Sequence, residues 1–355
     1  IFLIVKYFYG WVSINEVSAQ NFFPHLSIII ALRNEEHHVE RLIESLKSQS
    51  YPIEKLEFIF INDNSTDNTY FLLQNSKLAN SRVISMPEDH SGKKNAIAMA
   101  VSVAKGDVIL ASDADCIHSP HWAQRMASYF QNSNVLLVSG PVLFYKQRGF
   151  FQHFQALEFI SLIASGAGAI GIKNPIFCNG ANMAYRREVF LELNNFKKDK
   201  IVSGDDVFLL HNVKDRYPNS IVFAKHKEAI VYTESAQNIF EFINQRKRWV
   251  SKSSKYRDTA SIYVSYLVFF TNVFFVLIFG ILFFDVNFFK LFLLFYFLKF
   301  MVDLLLLYPA LRFFNRKDLI KWVFPFELIY SFYIVLIVFL SFNKHFEWKG
   351  RIHNK

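Results

Sequence analysis

The stretch "SIYVSYLVFFTNVFFVLIFGILFF", Ser261 to Phe284, runs for 24 residues without a formal charge. As a helix it is long enough to cross a hydrocarbon core of about 30 Å, so part of this chain is expected to fold in lipid. Two weaker spans follow. Phe288 to Leu311 carries Lys290, Lys299 and Asp303, which at bilayer depth must snorkel or face other helices. Val323 to Phe342 contains a single charge, Glu327, near one end. The opening "IFLIVKYFYGWV" is too short to cross alone and has no initiating Met; it reads as the trailing end of a longer span or as an interfacial anchor. Clustering of the 41 Phe into these segments exceeds what a base-composition bias would produce.

The net charge of +9 does not point to nucleic acid, because the basic residues sit beside the apolar segments, in "QRKRWVSKSSKYR", "RFFNRKDLIK" and "KHFEWKGRIHNK". There they suit anionic headgroups and positive-inside topology, and the first two clusters place the polar part of the chain on the cytoplasmic side. The third conflicts with three spans, which would carry the tail to the far side, so either one apolar segment is re-entrant or the charge rule is broken. Cys116 and Cys178 lack metal-ligand spacing and suit buried thiols in a reducing compartment.

Residues 25 to 235 read as one soluble domain. "LSIIIAL", "LEFIFIN", "SRVISM" and "DVILAS" are strand-like apolar runs. They alternate with helical patterns at Val39 to Leu46, Tyr70 to Gln74 and about Lys93 to Ala104. This order predicts an α/β fold, a mostly parallel sheet with helices on both faces, and ligands bind such sheets beyond the carboxyl ends of the strands.

Those ends carry "RNEE", "NDNSTD" and "SDADC". Singly, Asp63 is an ordinary helix cap, Glu35 a first-turn carboxylate, and Asp113 and Asp115 solvated loop residues. Together at one edge they make a site. In an extended strand, side chains alternate, so Asp113 and Asp115 are expected to point the same way. Their repulsion must be settled by a shared proton, as in glycoside hydrolysis, or by a hard cation such as Mg²⁺ or Mn²⁺. "SGKKNA", with Lys93, Lys94 and a helix N-terminus, favours the cation together with a diphosphate.

The order of "IIALRNEE", "FINDNSTD", "SGKKNAI", "SDADC", "CNGANMAYRREVF", "SGDDVFL" and "QRKRW" resembles the membrane-associated family 2 glycosyltransferases of GT-A fold, the cellulose synthase, hyaluronan synthase and ceramide glucosyltransferase branch. The resemblance covers roughly residues 25 to 250. It implies inverting transfer of a hexosyl or N-acetylhexosaminyl group from a nucleotide sugar, a UDP-sugar in first place, to a lipid-linked or glycan acceptor. It further implies that Asp63, with Ala31 and Glu35, contacts the nucleotide, that Lys93 lies near the diphosphate, and that Asp113 and Asp115 form the DxD, Asp115 being the direct metal ligand. Asp206 matches the base of the TED-type motif, with Gly204 and Asp205 where cellulose synthases have Thr-Glu. Asn179, Gly180 and Asn182 match the acceptor-side loop, although an ordinary Asn-Gly turn has the same sequence.

On a helix, Gln245, Arg248 and Trp249 share a face at i, i+3 and i+4. That face offers an aromatic platform for sugar and a guanidinium for phosphate, or an interfacial anchor at headgroup depth. Arg246 and Lys247 point elsewhere and are expected to meet lipid. The expected layout is a membrane or interfacial segment over 1–24, the GT-A domain over 25–235, an amphipathic helix over 236–258, about three spans over 259–345 and a basic tail over 346–355. Such a protein would sit in a bacterial inner membrane with its catalytic domain in the cytoplasm. A processive polysaccharide synthase and a non-catalytic nucleotide sensor or transporter are the other readings of these features. Oligomeric state is not legible from them.

Overall fold

Strand β1 (Leu26–Leu32) is apolar at every position but Ser27 because both of its faces are covered: all but one of its residues are buried, Ala31 being the exception. The computed structural model describes residues 1–17, 22–145, 147–193, 205–253, 255–342, 345–348 and 351–354. In chain order the first elements are α1 (Phe2–Ser13), β1, α2 (Glu36–Lys47), β2 (Leu56–Asn62), α3 (Thr69–Gln74), β3 (Ser81–Ser85), α4 (Lys93–Val103), β4 (Val108–Asp113), β5 (Ile117–His118) and α5 (Trp122–Ser128). There follow β6 (Leu137–Ser139), β7 (Val142–Phe144), α6 (Phe150–Gly171), β8 (Asn182–Arg186), α7 (Arg187–Leu193), α8 (Asp205–Arg216), β9 (Ile221–Phe223) and β10 (Val231–Thr233). The chain ends with α9 (Ile239–Ser253), α10 (Thr259–Ile281), α11 (Phe289–Phe313), α12 (Ile320–Ser341), β11 (His345–Trp348) and β12 (Arg351–Asn354).

Two compact units result. One comprises Val12–Tyr145 and Ala169–Glu234. Its seven-stranded sheet has the order β3-β2-β1-β4-β8-β6-β9, in which β8 alone runs antiparallel to its neighbours. The pairs Leu32↔Asn62 and Ala31↔Asp113 bring the carboxyl ends of β1, β2 and β4 to one edge, and Ser112↔Asn182 brings the start of β8 there too. The expected mostly parallel α/β sheet is therefore present. A second sheet, β5-β10-β7, pairs Val231 with both His118 and Val142, and Thr233 with Phe144.

The other unit holds Ile1–Trp11, 146–168 and Ser235–Lys355. Residues 146–168 thus leave the expected soluble domain and group with the apolar helices. Four described helical segments are long and apolar enough to cross a membrane: Phe150–Gly171, Thr259–Ile281, Val286–Phe313 and Lys317–Ser341. The last three bury only 17%, 22% and 28% of their apolar windows against protein, whereas Phe150–Gly171 is 78% buried. Small residues permit that burial. A Cβ at Gly168 would collide with the Tyr7 carbonyl oxygen, so α1 approaches α6 too closely there for any side chain.

Three of the charges inside these helices, Lys299, Asp303 and Glu327, form one group. Lys299 meets Asp303 at 2.7 Å on α11 and Glu327 on α12, which resolves their expected cost at bilayer depth. Arg246 overturns the expectation that it meets lipid: it is 2% exposed, and its Nε and Nη2 reach Glu158 of α6 at 3.0 and 2.6 Å. Glu158, buried in an apolar helix, requires a cation, and Arg246 satisfies both of its oxygens. The expected basic tail contains an antiparallel hairpin, β11-β12.

Candidate active site

The backbone after β1 is pinned to that after β2. Arg33 Nη1 donates to the carbonyls of Asp63 and Asn64, each at 2.7 Å, and the Asp63 N–H donates to the Leu32 carbonyl at 2.8 Å. Asp63, 2% exposed, accepts the Gly92 N–H on Oδ1 at 3.0 Å. Gly92 has φ +115°, and a Cβ placed there would meet nothing within 4 Å, so backbone conformation and not space selects glycine here. Glu35 is 8% exposed, and its N–H donates to the Thr69 hydroxyl oxygen at 2.7 Å.

That turn at Gly92 delivers Lys93, first residue of α4, to the end of β4, where its ammonium pairs with Asp113. The DxD differs from the expected extended backbone. The strand ends at Asp113, and the Cys116 N–H closes a turn onto the Asp113 carbonyl at 3.3 Å, so a turn and not the strand pleat sets the direction of Asp115. Thr233 at the end of β10 donates its hydroxyl to Asp115 Oδ2 at 2.8 Å. Burial, followed by the charges of Asp113 and Glu35, pushes the Asp115 carboxyl above the usual range, and the Thr233 hydrogen bond acts against them.

Next to this lies a cluster that the strand-end motifs do not contain. Glu234 Oε1 accepts from Arg41 Nη1 at 2.9 Å and from the Tyr145 hydroxyl at 2.6 Å. Arg41 Nη2 donates to the Asp115 carbonyl at 3.3 Å. His38 bridges Glu35 (Nδ1 to Oε2, 2.7 Å) and Glu234 (Nε2 to Oε2, 3.5 Å). The hydrogen bond that His38 donates to Glu35 raises the His38 pKa, against desolvation. A signal for this cluster exists in the sequence: Glu35, His38 and Arg41 recur at helical spacing, and "VYTE" is one more apolar run ending in an acid.

Ser112 ties the DxD strand to the loop before β8 by donating to the Ala181 carbonyl at 2.8 Å. In that loop Asn179 Oδ1 accepts the Ala181 N–H at 3.0 Å, the ordinary Asn-Gly turn, and the turn aims the Gly180 N–H at Asp206 Oδ2, 2.9 Å away. Asp206 Oδ1 accepts the Val207 N–H at 2.9 Å, so α8 seats the carboxylate at its own first turn. Asn182 stands apart. It is fully buried, and its amide joins the Pro141 and Ala229 carbonyls, each at 2.8 Å, to the Trp122 indole N–H at 2.9 Å, which makes it a scaffold link and not a group facing a ligand. Gly204 lies outside the described residues, as does the side chain of Asp205.

Gln245, Arg248 and Trp249 lie on α9 in the apolar unit. The Arg246 guanidinium stacks 4.2 Å from the Trp249 ring and 4.5 Å from that of Phe242, and also donates to Gln245.

Hard oxygen donors are what a divalent cation such as Mg²⁺ or Mn²⁺ takes. No group of three His, Cys, Asp or Glu side chains among the described residues is placed to hold a metal. Two carboxylates fit such an ion only where other oxygens complete its shell, and a bound diphosphate with water provides them. Asp115 Oδ1 has one hydrogen-bonding neighbour among the described residues, the Cys116 thiol at 3.8 Å.

A mostly parallel sheet with a DxD at its carboxyl edge and a buttressed aspartate beside it defines a GT-A fold. The Glycosyl transferase family 2 model matches residues 27–193, and the chain carries a family 2 glycosyltransferase domain. It is 26% identical over 185 residues to glycosyltransferase AglE of Haloferax volcanii, covering 52% of this chain and 59% of the relative. It is 27% identical over 159 residues to the poly-beta-1,6-N-acetyl-D-glucosamine synthase of Staphylococcus aureus, covering 43% and 38%. The chain thus spans less than two thirds of each of these relatives. The mannosyltransferase PcManGT from Pyrobaculum calidifontis, solved with GDP-Man and Mn²⁺, superposes with a TM-score of 0.54 at 17% identity, over 70% of this chain and 68% of the other, and shares the fold.

Proposed function

We propose that the protein transfers a sugar, with inversion, from a nucleotide diphosphate donor, a UDP-sugar in first place, to a lipid-linked or membrane-proximal acceptor. One observation carries this reading: at a single sheet edge the buried Asp63, the Lys93–Asp113 pair, the constrained Asp115 and the seated Asp206 are all present. A nucleotide held by Asp63, Glu35 and Ala31 would direct its diphosphate toward Lys93 and the DxD. Asp113 and Asp115 would hold Mg²⁺ or Mn²⁺, which when bound neutralises charge on the departing diphosphate. Asp206 accepts the proton of the acceptor hydroxyl as that oxygen bonds to the anomeric carbon and the bond from that carbon to the diphosphate breaks.

The apolar helices of the same chain support an acceptor presented at a membrane, and the basic clusters beside them support a cytoplasmic catalytic unit in an inner membrane. The Mn²⁺ bound to the mannosyltransferase of similar fold supports a divalent cation. Likeness to a polysaccharide synthase supports a second reading, repeated transfer to a growing chain. Incubating the full chain in detergent with native lipid extract and a panel of nucleotide sugars tests the proposal. Mass spectrometry should find one sugar added to a lipid, or a polymer under the second reading; nucleotide binding without release from any sugar contradicts both.

A further inference from the structure

We propose that Thr233 and Glu234, where β10 ends, are positioning residues of the donor site that preset Asp115 for its cation. The inference rests on the donor-site reading above and extends it to residues outside the DxD.

Asp115 leaves the strand in a turn, so the ladder of β4 does not fix it. Two groups do. The Thr233 hydroxyl holds carboxylate Oδ2 at 2.8 Å, and Arg41 holds the main-chain carbonyl at 3.3 Å. With Oδ2 engaged, Oδ1 is the oxygen turned to other partners. Arg41 is itself held between the Glu234 carboxylate, 2.9 Å away, and the Tyr145 ring, 4.9 Å from its guanidinium carbon. Tyr145 closes the circuit by donating to Glu234 at 2.6 Å. The small sheet explains why this is stable: β10 pairs with β5, which directly follows the DxD turn, and with β7, which directly precedes Tyr145.

Glu234 supplies a second feature. Through His38 it connects to Glu35, so the group that fixes the DxD also braces a residue of the nucleotide side. Removing the Thr233 hydroxyl would release the Asp115 side chain to other rotamers, which weakens cation binding.

The test is binding, not turnover. Equilibrium dialysis measures the affinity of the full chain in detergent for UDP or GDP, whichever binds more tightly, in Mn²⁺ and again in EDTA. Thr233→Val, similar in volume and lacking the hydroxyl, should lose about tenfold of the Mn²⁺-dependent affinity, in line with one hydrogen bond to a charged group. It should leave the EDTA-resistant affinity unchanged, and Thr233→Ser should recover most of the loss. Should Thr233→Val fail to fold by its melting curve, Glu234→Gln, which frees Arg41, should lose the Mn²⁺-dependent affinity by a larger factor than the EDTA-resistant affinity, which it reaches only through His38 and Glu35. Wild-type affinity in Thr233→Val, or equal losses in the Val and Ser variants, would overturn the positioning role while Asp115→Ala still abolishes Mn²⁺-dependent binding. A wild-type affinity indifferent to EDTA would instead overturn the donor-site reading and this inference with it.

Discussion

The Gly180 N–H donates to Asp206 Oδ2 at 2.9 Å, and a Cβ added at Gly180 would come within 3.2 Å of that same oxygen. The loop before β8 therefore positions the carboxylate assigned as base with a backbone donor and a missing side chain together. Gly180→Ala should displace the carboxylate by a few tenths of an ångström and lower kcat about tenfold or more, since small misplacements of reacting groups are costly. Nucleotide affinity should hold. Initial rates at saturating donor check this, and an unchanged kcat would show that Asp206 is not required in this position.

His38 offers a pH dependence. Its pKa is raised, the hydrogen bond to Glu35 being the largest cause, so the pair contributes stability that is full below the unfolded histidine value and is lost as pH rises through the folded value. The melting temperature of the wild type should exceed that of His38→Asn near pH 6, and the difference should shrink toward about pH 9. A difference that grows with pH would contradict the pairing.

Arg246→Met leaves Glu158 buried without its cation, which typically costs about 3–5 kcal/mol. The variant should melt far below wild type in detergent, and adding Glu158→Gln should restore much of the loss. An Arg246→Met protein as stable as wild type would return this arginine to a lipid-facing role.

Trp249 separates two readings of α9. As a platform for acceptor sugar, its replacement by Ala should abolish transfer while nucleotide binding and membrane association persist. Retained activity in both Trp249→Ala and Trp249→Phe would leave it an interfacial anchor.

Much of the α/β sheet was legible because its central strands are buried on both faces and so read as largely apolar runs: "LSIIIAL" and "LEFIFIN" match β1 and β2 to the residue. The strand-end rule likewise located Asp63 and Asp113 at one edge, and the helix start in "SGKKNA" located Lys93. What escaped depends on pairing between distant segments. Glu158 precedes Arg246 by 88 positions and lies in an apolar run, so helical spacing within "QRKRW" alone assigned Arg246 to the wrong surroundings. Glu234 joins Arg41 across 193 positions, a link made by the small sheet and by no local pattern. Asn182 was drawn to the site by its neighbours in the loop, whereas the next strand carries its side chain inward. The backbone at Asp115 differs from the expected extended strand for a local reason, a turn beginning at the strand's last residue.

Asp206→Asn tests the central claim most directly, in an assay that measures both sugar transfer to lipid extract and metal-dependent nucleotide affinity. The amide keeps the shape of the carboxylate but cannot take the proton, and general-base assistance typically contributes on the order of 10²–10⁴ in rate. Transfer should fall by about that factor with nucleotide affinity nearly intact. Near-normal transfer by Asp206→Asn, or no transfer by the wild type with any nucleotide sugar, would contradict a glycosyltransferase mechanism built on this residue.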